Sequence, residues 1–365
     1  MRRIFFLISL SALIVVSCGK SAKYELRADI LGANNLVFDL KIIENNRMVT
    51  IDSAISKNDG FVMKGSLDYP RAVILEARNT PYQTSFYMDN SNIQLKGILD
   101  SLDRMEITGS GIHDDYLSLS DAVQPVGLEY TEYVNQYQIA RQKNDEAMMA
   151  EYENRADSVY QLFIDLQERF VRDNPSSFFS PIILASLMNY LDVTKIEELV
   201  NDLAPEVAAI PPMIGLKESL VKLKLVSVGQ KAPDFTLNDP DGNPVSLYSK
   251  VGTKLLLVDF WAGWCGPCRQ ENPNVVKVYN DFKNRGFDVF GVSLDRTKDE
   301  WTNAIANDKL TWTHVSDLQY WNSAAAQLYS INSIPANFLL DENGTIIARD
   351  LRGEDLYNKV REILQ

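Results

Sequence analysis

Val258-Asp259-Phe260-Trp261-Ala262-Gly263-Trp264-Cys265-Gly266-Pro267-Cys268-Arg269, with Pro273 just beyond it, is the stretch on which the reading of this chain turns. Leu255 to Phe260 is an apolar run of the length and composition that form a buried parallel strand. Gly263 interrupts it, and from Pro267 to Phe282 the apolar positions return at helical spacing. Cys265 therefore falls at the start of a helix and Cys268 one turn further in. The N–H groups of a first helical turn have no partners within the helix, so they and the helix dipole favour a thiolate at Cys265. The thiolate is the form that attacks a disulfide, and Cys268 is near enough to resolve the mixed disulfide that results. This pattern points to thiol–disulfide exchange.

Other uses of a C-x-x-C fit less well. A structural zinc site takes four ligands, and the chain has only three Cys and two His, with His113 and His314 far from the motif. A purely structural disulfide across so short a loop would remove little chain entropy. No metal and no cofactor beyond a Cys265–Cys268 redox disulfide is expected.

The net charge of −13 offers no basic surface to neutralise phosphates, so no nucleic-acid partner is expected. At 365 residues, 45% of them hydrophobic, the chain has material for two or three packed units. Met1-Arg2-Arg3 followed by the apolar Ile4 to Val16 is a basic start and a stretch too short to span a bilayer comfortably. It ends Val15-Val16-Ser17-Cys18-Gly19, which resembles the lipobox of bacterial lipoproteins. On that resemblance residues 1–17 are a signal peptide and Cys18 becomes the lipidated first residue, anchoring the chain to a membrane. An exported setting agrees with the chemistry, because disulfides accumulate as substrates outside the cytosol.

From residue 18 to about 112 the pattern is β. Short runs at Leu36–Ile43, Met48–Ile51, Phe61–Met63, Arg71–Ala77, Ser85–Met88 and Ile93–Leu99 are punctuated by Asn45-Asn46, Asn58-Asp59-Gly60 and Asn90-Ser91. A small antiparallel sandwich or barrel is expected. Residues 113–226 turn helical, with Val159, Leu162, Phe163, Leu166 and Phe170 in one stripe. Pro181 to Leu191 is expected as a buried helix, and Thr194 with Glu197 as a capping box. The run Arg141 to Arg155 is expected as a solvated face, and Tyr130, Tyr133 and Tyr137 as helix packing. His113 is expected at the surface.

Residues 227–365 form the redox domain. Phe235–Leu237 and Val245–Leu247 are the arms of a hairpin around Asp239-Pro240-Asp241-Gly242-Asn243. Phe287–Ser293 and the short run Trp312–Val315 are strands, Lys298–Asn307 and Tyr320–Ser330 helices. Ala336–Leu340 and Thr345–Ala348 flank the turn Asp341-Glu342-Asn343-Gly344, and Glu354–Leu364 is the last helix. His314 is expected to be a packed or edge residue.

WCGPC, the Asp-Phe-Trp-Ala before it and Ile334-Pro335 after it resemble thioredoxin. Gly229-Gln230-Lys231-Ala232-Pro233-Asp234-Phe235-Thr236-Leu237 with Asp241-Gly242 extends the resemblance to the TlpA/ResA-like envelope thioredoxins, over about Val228 to Gln365. It implies an α/β thioredoxin fold with the insertion of the envelope group, preceded by a β-domain such as envelope lipoproteins of this kind carry. It also implies that Cys265 attacks and Cys268 resolves, that Asp259 is a buried carboxylate exchanging a proton with Cys268, and that Pro273 kinks the active-site helix. Pro335 is then a cis-proline beside the disulfide, and Ile334, Trp264, Gly266 and Pro267 line the substrate groove.

The expected activity is that of a membrane-tethered periplasmic oxidoreductase that reduces protein disulfides and is recharged by an envelope electron donor. Cytochrome c maturation is one role the resemblance offers. Two other readings are a partner-binding lipoprotein with a secondary redox domain, and a thiol peroxidase. The peroxidase would need Thr or Ser three residues before its reactive Cys, where this chain has Ala262.

Overall fold

The computed structural model describes residues 23–188 and 190–365. Cys18 and the signal peptide lie outside them. The chain folds as two compact units, one ending at Ile183 and one spanning Leu184–Gln365. The helical stretch 113–226 is therefore divided between two bodies.

The first unit holds β1 (Tyr24–Leu31), β2 (Val37–Glu44), β3 (Arg47–Ile55), β4 (Gly60–Gly65), β5 (Arg71–Ala77), β6 (Gln83–Met88), β7 (Asn92–Ile98) and β8 (Glu106–Thr108). They make two four-stranded sheets, β4-β1-β7-β8 and β3-β2-β5-β6. The sheets share one core around Leu26, Phe38, Leu40, Met63 and Leu75, with Phe38 of one stacked on Phe61 of the other at 4.6 Å. The result is a sandwich, and its one departure from an antiparallel pattern is the parallel pairing of β1 with β7. Asp39 is buried inside it, satisfied by Arg78 at 2.6 and 2.8 Å and by Ser53 at 2.6 Å. Those bonds hold its carboxyl below the usual carboxylate range, with Arg78 the largest cause.

Helices α1 (Gly111–Gln142) and α2 (Glu146–Asp173) form an antiparallel pair whose tyrosines meet across it, Tyr130 with Tyr160 and Tyr133 with Tyr152. In the α2 stripe Val159 and Phe170 are buried, whereas Leu162 is exposed and Ile164 and Val171 turn inward instead. The expectation for His113 fails. It is buried in the first turns of α1, edge-on to Phe86 and beside Tyr116, because α1 lays this side of its first turn against the sheet. Helix α3 (Ser180–Leu187) stops short of Leu191.

In the second unit α4 (Val193–Asp202), α5 (Pro205–Ala208) and α6 (Pro211–Leu225) precede the sheet. No capping box forms on α4. Asp192 caps it by accepting the Thr194 N–H at 2.8 Å, which frees Glu197 to pair with Lys224. The hairpin β9 (Thr236–Asn238) and β10 (Pro244–Ser246) follows, its turn organised by Asp239 accepting the N–H groups of Asp241 and Asn243. Then come β11 (Leu255–Trp261), α7 (Gly266–Phe282), β12 (Phe287–Ser293), α8 (Lys298–Asp308), β13 (Thr313–Val315), α9 (Ala324–Leu328), β14 (Ala336–Asp341), β15 (Ile346–Arg349) and α10 (Gly353–Leu364). The expected helix over Tyr320–Ser330 is shorter: a 3-10 turn at Tyr320–Asn322, a break at Ser323, then α9.

The five strands order as β13-β12-β11-β14-β15, a thioredoxin-like sheet with β11 at its centre. All seven β11 residues are buried. Each of Leu255, Leu256 and Leu257 removes enough apolar surface from water to stabilise the unit by roughly 2 kcal/mol. The lead-in to β9 is pinned from two sides. The Tyr329 hydroxyl, deep in the core, donates to the Pro233 carbonyl at 2.7 Å. Gly229 and Ala232 donate backbone N–H groups to Ile346 and Gly344 at 2.8 and 2.9 Å.

Asn337, Asp259, Gly291 and His314 form one cross-strand row over β14, β11, β12 and β13. Gly291 is needed there, since a Cβ would run into the His314 imidazole. His314 is buried between Trp261 and Trp312, and neither ring nitrogen has a hydrogen-bond partner among the described residues. Burial pushes its pKa down to about 3, against the opposing influence of the Leu310 backbone.

A neutral buried histidine supports the fold fully above its unfolded pKa near 6.5, and that support is lost as pH falls towards 3. His314→Phe should therefore gain about 2 kcal/mol relative to the native chain on going from pH 7 to pH 5. All five tryptophans lie between Trp261 and Trp321, so denaturation followed by tryptophan fluorescence reads this unit alone. A native-minus-variant difference independent of pH would show that His314 titrates normally.

Candidate active site

β11 delivers the chain through Ala262, Gly263 and Trp264 to Cys265, the N-cap of α7. Its sulfur accepts the Cys268 N–H at 3.2 Å. The pair is disulfide-bonded, with Cα atoms 5.3 Å apart. Once the disulfide is reduced, the same N–H and the positive helix end favour a thiolate at Cys265. Both cysteines are mostly covered, Cys265 at 4% and Cys268 at 1% exposure. Gly266 and Pro267 are exposed beside them, and Pro273 lies within α7.

The Ile334–Pro335 peptide bond is cis, and the Ile334 carbonyl oxygen lies 3.7 Å from the Cys265 sulfur. Ile334 is half-buried while Pro335 is buried, so the backbone just before β14 borders the disulfide. On the other side Trp264 is 41% exposed, packs against Tyr320 and Trp321, and donates its indole N–H to the Leu294 carbonyl at 3.3 Å. The Ile334 carbonyl thus borders the Cys265 sulfur, and Gly266 and Pro267 lie between the two cysteines.

Asp295, just past the end of β12, holds the loop in place. It is wholly buried and accepts the Gly263 N–H at 3.0 Å and the Ser293 hydroxyl at 2.7 Å. Burial pushes its carboxyl above the usual range. The Gly263 carbonyl is taken by Arg269 at 3.2 Å, and Arg269 is ion-paired to Asp308, which also accepts from Asn272 at 2.7 Å. Gly263 is closely packed, since a Cβ would sit only 3.0 Å from Ala304 and from the Glu300 carbonyl and would require them to give way. The reactive loop is thereby clamped between β12, α7 and α8.

Asp259 is buried at 5% exposure in the middle of β11. Desolvation pushes its carboxyl up to about 7, the charge of Glu271 on α7 adds to this, and Arg352 before α10 opposes it. A carboxyl with that pKa exchanges protons readily near neutrality. Among the described residues no cluster of three or more His, Cys, Asp or Glu is arranged to hold a metal ion. No helix there is long and apolar enough to cross a membrane.

Residues 228–349 match the AhpC/TSA family, and residues 24–116 match a domain of unknown function, DUF4369. The thiol-disulfide oxidoreductase ResA of Geobacillus kaustophilus is 30% identical over 141 residues, covering 38% of this chain and 79% of that protein. This chain belongs to the ResA-like thiol-disulfide oxidoreductases. The ResA of Bacillus thuringiensis subsp. konkukian is 26% identical over 144 residues, 40% of this chain and 80% of that protein. The thioredoxin domain of a thiol-disulfide oxidoreductase from Bacteroides vulgatus shares 41% identity, covers 38% of this chain and 99% of that one, and superposes with a TM-score of 0.36. As a ResA-like oxidoreductase the protein works on thiols and disulfides, the chemistry that Cys265 and Cys268 can perform.

Asp295, Asn337 and Arg352 escaped the sequence reading. The only local signal for Asp295 is a carboxylate directly after an apolar strand, and such residues usually end a strand in solvent. For Asn337 and Arg352 no local signal exists, because their partners come from distant segments.

Asp259→Asn should remove a pH dependence opposite in sign to that of His314. A carboxyl raised from 3.8 to about 7 supports the fold fully below pH 3.8 and loses that support as pH rises to 7. The variant should exceed the native chain in stability by up to about 4 kcal/mol at pH 8, with no gain at pH 3.5. Between pH 4 and 6.5 the two slopes oppose each other, so each single variant should uncover the other. Equal stabilities at pH 8 would place Asp259 in contact with water.

Proposed function

We propose that the chain is a membrane-tethered periplasmic enzyme that reduces protein disulfides through the Cys265–Cys268 dithiol. The observation that carries this is the Cys265 sulfur at a helix N-terminus, in hydrogen bond to the Cys268 N–H and bordered by the Ile334 carbonyl. The Cys265 thiolate attacks one sulfur of a substrate disulfide, forming a mixed disulfide and expelling the other sulfur as a thiolate. Asp259 takes the proton of Cys268, whose sulfur then attacks Cys265. The second substrate thiol leaves, two electrons have passed to the substrate, and the Cys265–Cys268 disulfide remains. A thiol-bearing donor of the envelope restores the dithiol. A Gly-Pro pair between the cysteines resembles thioredoxin, which stands at the reducing end of such couples and supports this direction. An acylated Cys18 would supply the tether. Ile334 offers backbone groups to an extended substrate segment, because the residue before proline is held extended, while Trp264, Gly266 and Pro267 floor the groove.

Insulin reduction monitored by turbidity tests the proposal. Cys265→Ser should lower the rate at least ~100-fold, since no other attacking thiolate is available. Cys268→Ser should accumulate mixed disulfides with substrate. Faster alkylation of Cys268 than of Cys265 in the reduced protein would reverse the two roles, and failure to reduce insulin at all would remove the proposed direction. Pro335→Ala should raise KM for insulin several-fold while the alkylation rate of Cys265 stays within about twofold, because the thiolate is set by α7 rather than by the loop.

A further inference from the structure

Asp350, Leu351 and Arg352, between β15 and α10, together with Gly353 at the start of α10, touch more of the active site than any catalytic motif suggests. The Asp350 N–H donates to the Asn337 carbonyl at 2.8 Å. The Asn337 side chain closes a two-way clamp on Leu351, giving its amide to the Leu351 carbonyl at 2.7 Å and accepting the Leu351 N–H at 3.1 Å. Arg352 reaches back and donates to the Pro335 carbonyl at 2.8 Å. The Gly353 N–H donates to Glu271 of α7 at 2.8 Å. One short segment thus ties the cis-proline loop, the β14 residue opposite Asp259 and the active-site helix together.

We propose that Arg352 is a positioning residue for the exchange reaction, fixing the Pro335 carbonyl at the edge of the substrate groove while setting its charge against the proton-accepting site of Asp259. The proposal rests on the relay role proposed above for Asp259. The charged groups acting on that carboxyl are Glu271 from α7 and Arg352 from the start of α10, while its strand neighbours Asn337 and Gly291 carry no charge. Glu271 makes the Asp259 anion harder to form, and Arg352 makes it easier. Glu271 is drawn to the same segment by Gly353, so the two opposing charges are held by adjacent residues. A substrate segment pairing beside Ile334 would press on the loop that Arg352 holds, which gives binding a path to the proton acceptor.

Three variants separate the two duties. Arg352→Gln loses the charge but can still donate to the Pro335 carbonyl. Arg352→Lys keeps the charge, and Arg352→Ala loses both. The Asp259 titration is read in the oxidised full-length protein by carbon-13 aspartate NMR, assigned with Asp259→Asn, where no free thiol complicates it. Arg352→Gln and Arg352→Ala should raise the Asp259 midpoint by on the order of half a pH unit, the effect shrinking at 0.5 M salt, and Arg352→Lys should restore it. The KM for insulin should rise several-fold in Arg352→Ala and by less in Arg352→Gln. Unchanged midpoint and KM in Arg352→Ala, or a midpoint moved as far by Arg352→Lys as by Arg352→Ala, would overturn the assignment. The NMR midpoint does not depend on turnover, so failure of insulin reduction in the native protein would count against the proposed direction alone.

Discussion

Everything at the active site depends on burying β11. Seven consecutive buried residues in the centre of a five-stranded sheet fix where the chain must emerge, and the emergence point is Cys265. The same burial gives Asp259 its raised pKa, because a carboxyl in the middle of such a strand has no water to stabilise its charge. One structural constraint therefore supplies both the place of Cys265 and the raised pKa of Asp259. The fold bears the cost of an ionised Asp259 at alkaline pH, and the apolar contacts along β11 offset it.

Around this centre polar groups act as braces. Asp295 and Arg269 take the N–H and the C=O of Gly263, so the peptide before the reactive Trp264-Cys265 pair is held at both ends. Asn337 and Arg352 do the same for the cis-proline side. Apart from Arg269, which reaches back six residues, each brace joins segments well separated in sequence, and each satisfies a backbone group that would otherwise lie unpaired at the edge of the core. His314 is the exception in the same layer. Its nitrogens have no partner among the described residues, and the ring is tolerated because Gly291 makes room and two indoles surround it.

The β-sandwich is built on its own core and carries its own ion pair, the buried Asp39 held by the half-exposed Arg78. Its alternating strands and Asn-rich turns were readable because each turn is a local event. The parallel pairing of β1 with β7 was not, since it joins residues some seventy positions apart with no local mark. The cap on α4 shows the same limit at short range. Thr194 and Glu197 have the spacing of a capping box, but Asp192 reaches the free N–H first, and Glu197 finds Lys224 on α6.

Local sequence by itself determined the strand–cysteine–helix junction, the spacing of Cys265 and Cys268, the proline at 335 and the order of elements from β11 onward. These follow from periodicity, from the missing N–H of proline and from the unpaired first turn of a helix, all of which act within a few residues. Tertiary structure alone decided the clamp on Gly263, the burial of His113, the row that places His314 in line with Asp259, and the contact of Arg352 with the Pro335 carbonyl. Those depend on which distant segments the sheet order brings together, and hydrogen bonds and desolvation act over ångströms in space, whatever the separation along the chain.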